Sequence, residues 1–303
     1  MIVDLPSTTT DAVNKKIAEL RVQVGAVTLG YVLTLVIAPD SEVLLEKSIA
    51  AANFASQEHP SRVIVVMTDD PYASAPCLDA QVRTGADSCA GEVVILRLSG
   101  PLAKHADSVV IPFLVPDIPV AVWWPGIAPA VPAQDPLGKL AIRRITDATN
   151  CPDPLSAITS RLSGYFPGDT DLSWSRITYW RALLAASVDQ PPYGPITSAV
   201  VSGRKTEPAL DVLAGWLASR IDGPVRRLVG ELKVELVREA ETLTLRRPQE
   251  GTTATMSRTG RPDALVLLSR RETRECLAED LRRLNADPIY QSALEGIRQV
   301  HYG

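Results

Sequence analysis

Histidine and cysteine are scarce in this chain: 303 residues hold three histidines (His59, His105 and His301) and four cysteines (Cys77, Cys89, Cys151 and Cys276). Histidine is the side chain that exchanges protons most readily near neutral pH, so acid–base catalysis has few places to start. No two of these seven residues lie within five positions of one another, which excludes the clustered ligands of a zinc site. Four thiols could not staple a chain of this length, and a reducing, cytoplasmic compartment is expected.

Glycine loops are missing as well. Neither G-x-G-x-x-G nor G-x-x-x-x-G-K-[ST] occurs, so the backbone offers no ready cradle for a nucleotide phosphate, and no G-x-S-x-G elbow exists for an esterase nucleophile. Gly85 and Gly91 bound a loop between two strand-like segments and read as a β-turn. The most apolar run, residues 27–38, falls short of the roughly 20 residues needed to span a bilayer. The N-terminal MIVDLPSTTTD has no basic stretch leading into an apolar core, so neither secretion nor membrane insertion is expected. A strong positive field is absent too. Residues 161–303 carry 20 Lys+Arg against 18 Asp+Glu, leaving 11 against 17 for residues 1–160, or +2 and −6. That is far from the basic stripe of a nucleic-acid binder.

What is present is a globular composition, 46% apolar and 22% charged, enough for two ordinary cores. The pattern predicts a polar helix over 10–24, a strand within 27–38 and a helix carrying Leu45, Ile49, Ala52 and Ser56 on one face. The β-branched run 62–68 then predicts a buried strand parallel to the first, with 78–85 and 92–98 pairing as neighbours and 120–124 adding a short strand. Prolines exclude helix and central strand over 124–136, and further breakers between 152 and 170 place a domain boundary near residue 160. Beyond it, Trp174, Ile177, Trp180 and Leu184 fall on one helical stripe, followed by a strand near 196–202. A helix capped by Thr206 with Pro208 in its first turn comes next, then strand-like runs at 225–229, 233–238, 242–246, 252–258 and 264–268. The chain closes with a helix bearing Leu277, Leu281 and Leu284, then Pro288 and a short tail. The expectation is α/β throughout: an N-terminal domain (1–160) with a mostly parallel sheet, and a C-terminal domain (161–303) with a mixed or antiparallel one.

No catalytic, cofactor or metal site can be assembled from these residues. His59 lies in a turn feeding the amino end of a strand, the edge where parallel sheets do not bind ligands. Asp69-Asp70, and Glu239 with Glu241, read as solvated charges. Five Arg-Arg pairs (143–144, 226–227, 246–247, 270–271, 282–283) suit phosphate or an acidic surface as well as simple solubility. Arg62, Arg143 and Arg144 are the candidate anion contacts. In the segment 111–126, IPFLVPDIPVAVWWPG, four prolines punctuate large apolar residues and suggest a stiff arm. Pro116, Asp117, Pro119, Trp123, Trp124 and Pro125 are its candidate partner contacts. Adjacent strand tryptophans point to opposite faces, which leaves both core packing and an interface anchor open.

This Pro- and Trp-rich segment, with Glu58-His-Pro-Ser-Arg62, the stretch 171–184 (DLSWSRITYWRALL) and the stretch 275–284 (ECLAEDLRRL), resembles the glucose-6-phosphate dehydrogenase assembly protein family, OpcA, of the actinobacterial type. The resemblance implies a non-catalytic protein that binds glucose-6-phosphate dehydrogenase, favours its active oligomer and so serves the oxidative pentose phosphate pathway, with no cofactor of its own. It also implies thiol-linked control in cyanobacterial relatives, whose cysteines are not matched residue by residue here. A sugar-phosphate sensor and a 6-phosphogluconolactonase-like enzyme are the rival readings.

Overall fold

The computed structural model describes residues 1–24, 30–84, 92–239 and 241–303. The start of the strand expected from residue 27, the turn between Gly85 and Gly91, and Cys89 lie outside the described residues. The chain forms two compact units. One comprises residues 1–147, 166–169 and 273–286; the other comprises 148–165, 170–272 and 287–303. Both are α/β.

In the first unit, β1 (Ile2–Leu5), β2 (Leu33–Ile37), β3 (Ser61–Thr68), β4 (Cys77–Thr84), β5 (Glu92–Ser99), β6 (Val120–Trp124) and β7 (Arg143–Thr146) form a sheet in the order β1-β4-β5-β3-β2-β6-β7. The five strands from β5 to β7 run parallel, and β4 and β1 join antiparallel at one edge. Helices α1 (Thr10–Val24), α2 (Glu42–Ala55), α3 (Ala106–Val110) and α8 (Thr273–Leu281) belong to this unit, and α8 packs on α2. β2 and β6 are buried at every position and β3 at all but Thr68, which is why their sequences are dominated by apolar residues, with Thr34, Ser61 and Arg62 the buried polar exceptions: both faces of a parallel sheet are covered. Each fully buried Val, Leu or Ile contributes about 1.5–3 kcal/mol. β4, near the edge, alternates buried and half-buried residues instead. Residues 166–169 return beside β7, where the Arg144 amide donates to the Gly168 carbonyl at 2.9 Å, and open β8 (Asp169–Asp171).

In the second unit, β9 (Ser198–Gly203), β10 (Val225–Val229), β11 (Lys233–Val237), β12 (Thr242–Arg246), β13 (Thr253–Arg258), β14 (Ala264–Leu267) and β15 (Val300–Tyr302) form a sheet ordered β14-β13-β12-β11-β9-β10-β15. The run from β14 to β9 is antiparallel, whereas β9, β10 and β15 are parallel. Against it lie α4 (Pro154–Ser163), α5 (Leu172–Arg176), α6 (Thr178–Val188), α7 (Pro208–Ala218) and α9 (Pro288–Gly296). Trp174, Trp180, Leu184, Leu213, Leu245 and Tyr290 share one core. The predicted stripe of Trp174, Ile177, Trp180 and Leu184 is buried, although the helix is interrupted at Ile177. α7 crosses α9 closely, since a Cβ on Gly215 would sit 2.2 Å from the Ala293 carbonyl oxygen.

Three expectations are corrected. The segment expected to hold only breakers between 152 and 170 contains a helix: Pro154 occupies the first turn of α4, where a missing N–H costs nothing, and the Asp153 side chain caps it by accepting from the Ser156 amide. Pro288 likewise starts α9 after Asp287, so the expected tail is a helix and a strand. The N-cap of α7 is Glu207, not Thr206.

Candidate functional site

The strand order of the first unit reverses direction between β2 and β6, and in open α/β sheets the carboxyl ends at such a switch point form the binding crevice. A dinucleotide there needs a glycine turn and an anion-accepting helix N-terminus. The turn from β2 into α2 is instead Ala38-Pro39-Asp40-Ser41-Glu42. The Ile127 amide donates to Asp40 Oδ2 at 2.8 Å, and Ser41 Oγ accepts from the Leu44 amide. Glu42 is held by the Arg97 guanidinium, whose hydrogen bond pulls the carboxyl below its ordinary pKa. Gly126 lies so close that a Cβ there would come 2.4 Å from Asp40 Oδ2. The Asp40 carboxylate and the loop fastened to it stand at this turn in place of a glycine cradle, so these residues do not supply the turn that a dinucleotide needs. Trp123-Trp124-Pro125-Gly126 leads β6 into this latch.

Burial reassigns much of the expected partner arm. Trp123 and Trp124 are 1% and 4% exposed and Pro125 is buried, so the indoles are core side chains and not projecting anchors. Both faces of β6 are covered, which is what two adjacent strand tryptophans require. The arm is not extended throughout: it follows α3 and opens with a 3-10 turn at Ile111–Phe113, in which Phe113 is buried. Pro119 is half-buried, leaving Pro116 and Asp117 exposed, with Asp117 in the left-handed region at φ 62. Aspartate tolerates that conformation better than most residues.

The expected anion contacts are already matched within the chain. The Arg143 guanidinium pairs with Asp280 and donates to the Asn285 carbonyl at 3.2 Å. Arg144 pairs with Asp169 and donates to the carbonyls of Ala141 (2.8 Å) and Pro167 (2.6 Å). Arg62 lies 3.5 Å from Glu92, whose two carboxylate oxygens accept from Arg21 Nε and Nη2, and burial lowers the Arg62 pKa. These arginines tie strands, loops and α8 together; the sequence could not show it, because the Arg143 partner is 137 residues away. His59 lies in the turn after α2, at the amino edge of β3 as expected. Among the described residues, no group of three or more His, Cys, Asp or Glu could hold a metal ion, and no helix is long and apolar enough to cross a membrane.

The feature sequence reading missed is the β14 edge. β14 ends its sheet, with β13 on one side and no strand on the other among the described residues. Leu265 and Leu267 point to the same face and are 77% and 76% exposed. Natural edge strands are usually guarded by charge or proline, and Ala-Leu-Val-Leu carries neither. The available signal was position: this run closes a series of consecutive antiparallel strands and so falls at an edge.

The chain is thus an α/β protein with a carboxylate-bearing turn at its switch point and an apolar edge strand. Two family models match it: the glucose-6-phosphate dehydrogenase subunit N-terminal domain over residues 52–163, and the corresponding C-terminal domain over 167–294. The chain belongs to this glucose-6-phosphate dehydrogenase assembly family, OpcA. No curated protein matches it. Among solved structures it is similar to an aldose-aldose oxidoreductase from Caulobacter crescentus complexed with glycerol, at 10% identity and a TM-score of 0.46, covering 88% of this chain and 95% of that one. At that level the likeness carries no argument.

Proposed function

We propose that this protein is a non-catalytic subunit that binds glucose-6-phosphate dehydrogenase in the cytoplasm and favours its active oligomer, serving the oxidative pentose phosphate pathway. The observation that carries this reading is the match of both family domains along residues 52–163 and 167–294. The turn at the switch point supports it, since it carries Asp40, to which the loop after β6 is fastened, where a dinucleotide-binding enzyme of this topology would have a glycine turn. An activator acts only through different affinities for two states of its target, and a coupling of about 1–3 kcal/mol changes apparent affinity roughly 5- to 150-fold.

The docking surface in this reading is the β14 edge, where Leu265 and Leu267 supply apolar area and the open strand supplies unpaired backbone groups. Because both leucines are exposed, replacing them together with lysine should leave folding unchanged while weakening the complex by about 2 kcal/mol or more. Co-purification with the cognate dehydrogenase and its kinetics with and without this subunit measure both effects. Undiminished binding and activation by the double variant would remove β14 as the dock, and no effect of the unmodified protein on the dehydrogenase would remove the function itself.

A further inference from the structure

The outer face of the second sheet changes character at its last strand. Along the row that ends at Leu265, β13 carries Thr255, β12 Arg246 and β11 Lys233, none of them buried, and Leu267 lies opposite Thr253. Val266 points the other way and packs against the core. Two exposed leucines closing rows of threonine and charge mark an edge that another apolar strand covers.

The backbone is open at the same two residues. The Leu268 amide donates to the Thr252 carbonyl at 2.8 Å, so in the alternation of an antiparallel ladder Leu268 and Val266 face β13, while the amide and carbonyl groups of Leu265 and Leu267 face outward. A strand added here must offer the same spacing of backbone groups and apolar side chains on the outer face. A second β14, turned antiparallel about a two-fold axis at Val266, offers both. Leu265 of each copy then lies opposite Leu267 of the other, the pair exchanges both its backbone hydrogen bonds, and the leucines of the two copies meet on one face. Charge matches as well: β14 itself carries none, and the exposed Asp263 of one copy comes beside Ser269 and the exposed Arg270 of the other.

We propose that two copies of this chain pair through their β14 edges in this register, and that the pair covers the docking strand until the dehydrogenase displaces it. The masking rests on the reading of β14 as the dock; the pairing does not. Four residues per strand are few beside the roughly 20 residues a side of a stable interface, so the dimer is weak and exchanges readily.

Sedimentation equilibrium of the full chain alone should show monomer and dimer in concentration-dependent balance. Leu265→Pro removes an outward amide and leaves the bonds to β13 in place, so the fold survives and the dimer dissociation constant should rise about tenfold or more. Leu265→Thr combined with Leu267→Thr, which carries the threonines of β13 on to the edge, should weaken the dimer as well, and urea unfolding checks that both variants are folded. Val266 faces its own copy in a non-hydrogen-bonded pair about 4.5 Å away, so Val266→Cys should cross-link to itself under mild oxidation. A monomer at every concentration, a dimer that Leu265→Pro leaves unchanged, or a Val266→Cys variant that does not cross-link would each overturn the pairing. Excess dehydrogenase should dissolve the dimer, and a dimer retained inside the complex would overturn the masking. Because the pairing is read on the chain alone, its failure leaves the assembly role standing, and failure to bind the dehydrogenase leaves the pairing standing.

Discussion

The helix after β2 and the helix after β9 each begin where a buried strand turns outward, yet their first turns are opposites. At α2 the turn carries Asp40, Ser41 and Glu42, the serine caps the helix, and the loop after β6 is fastened onto Asp40. At α7 the cap residue Glu207 makes no side-chain capping bond, and Arg176, Arg247, Arg270 and Arg271 line the same concave region as Glu207. The same local device is therefore closed by a side-chain cap in one unit and left without one in the other. The difference teaches that a strand-to-helix turn does not fix its own chemistry: the side chains that the surrounding segments bring to the helix end do.

The comparison can be broken at four points. The largest effect is expected at Trp124, whose ring is core: Trp124→Ala should cost about 3–5 kcal/mol in urea unfolding. Unchanged stability with lost partner binding would return this residue to the role of a contact. A smaller effect is expected on the other helix, at Asp211 of α7, whose carboxyl is pushed up to about 6, chiefly by burial and despite Arg227 at 3.3 Å. A folded pKa above the unfolded value means that its stabilising contribution is full below about pH 4 and lost as pH rises to about 6. Asp211→Asn should remove that loss, so the stability difference between variant and parent should change by at most about 3 kcal/mol across this window. A difference independent of pH would show that Asp211 titrates normally.

Next comes the latch itself. Gly126→Ala forces a Cβ against Asp40 and should destabilise by about 1–3 kcal/mol, and Asp40→Ala should relieve part of that cost in the double variant. Purely additive effects would mean that Gly126 and Asp40 do not bear on each other. The smallest effect is on the open side: Arg270→Gln should change stability by no more than about 0.5 kcal/mol, because the residue is exposed. A larger loss would make it part of the scaffold.

Much of the fold was legible. β2, β3 and β6 are mostly apolar because both their faces are covered, and β11 and β12 alternate because only one face packs inward; residue type reports this directly. The helices at Pro154 and Pro288 were misread because proline stops a helix from inside but starts one from its first turn. The Asp that precedes each, capping through its side chain, was the signal that separates the two cases. The functional residues were less legible. Arg143 and Arg144 looked like anion contacts because nothing near them in sequence carries the carboxylates that hold them.

By itself, the sequence determined the class of sheet in each unit and the buried stripes, because burial and backbone periodicity are local and repeat along the chain. Only the tertiary structure decided which arginines are satisfied, that both tryptophans are core, and that Arg176, Arg247, Arg270 and Arg271 surround one helix end. Charge pairing and concavity depend on distances between residues far apart in the chain, and no local pattern records them.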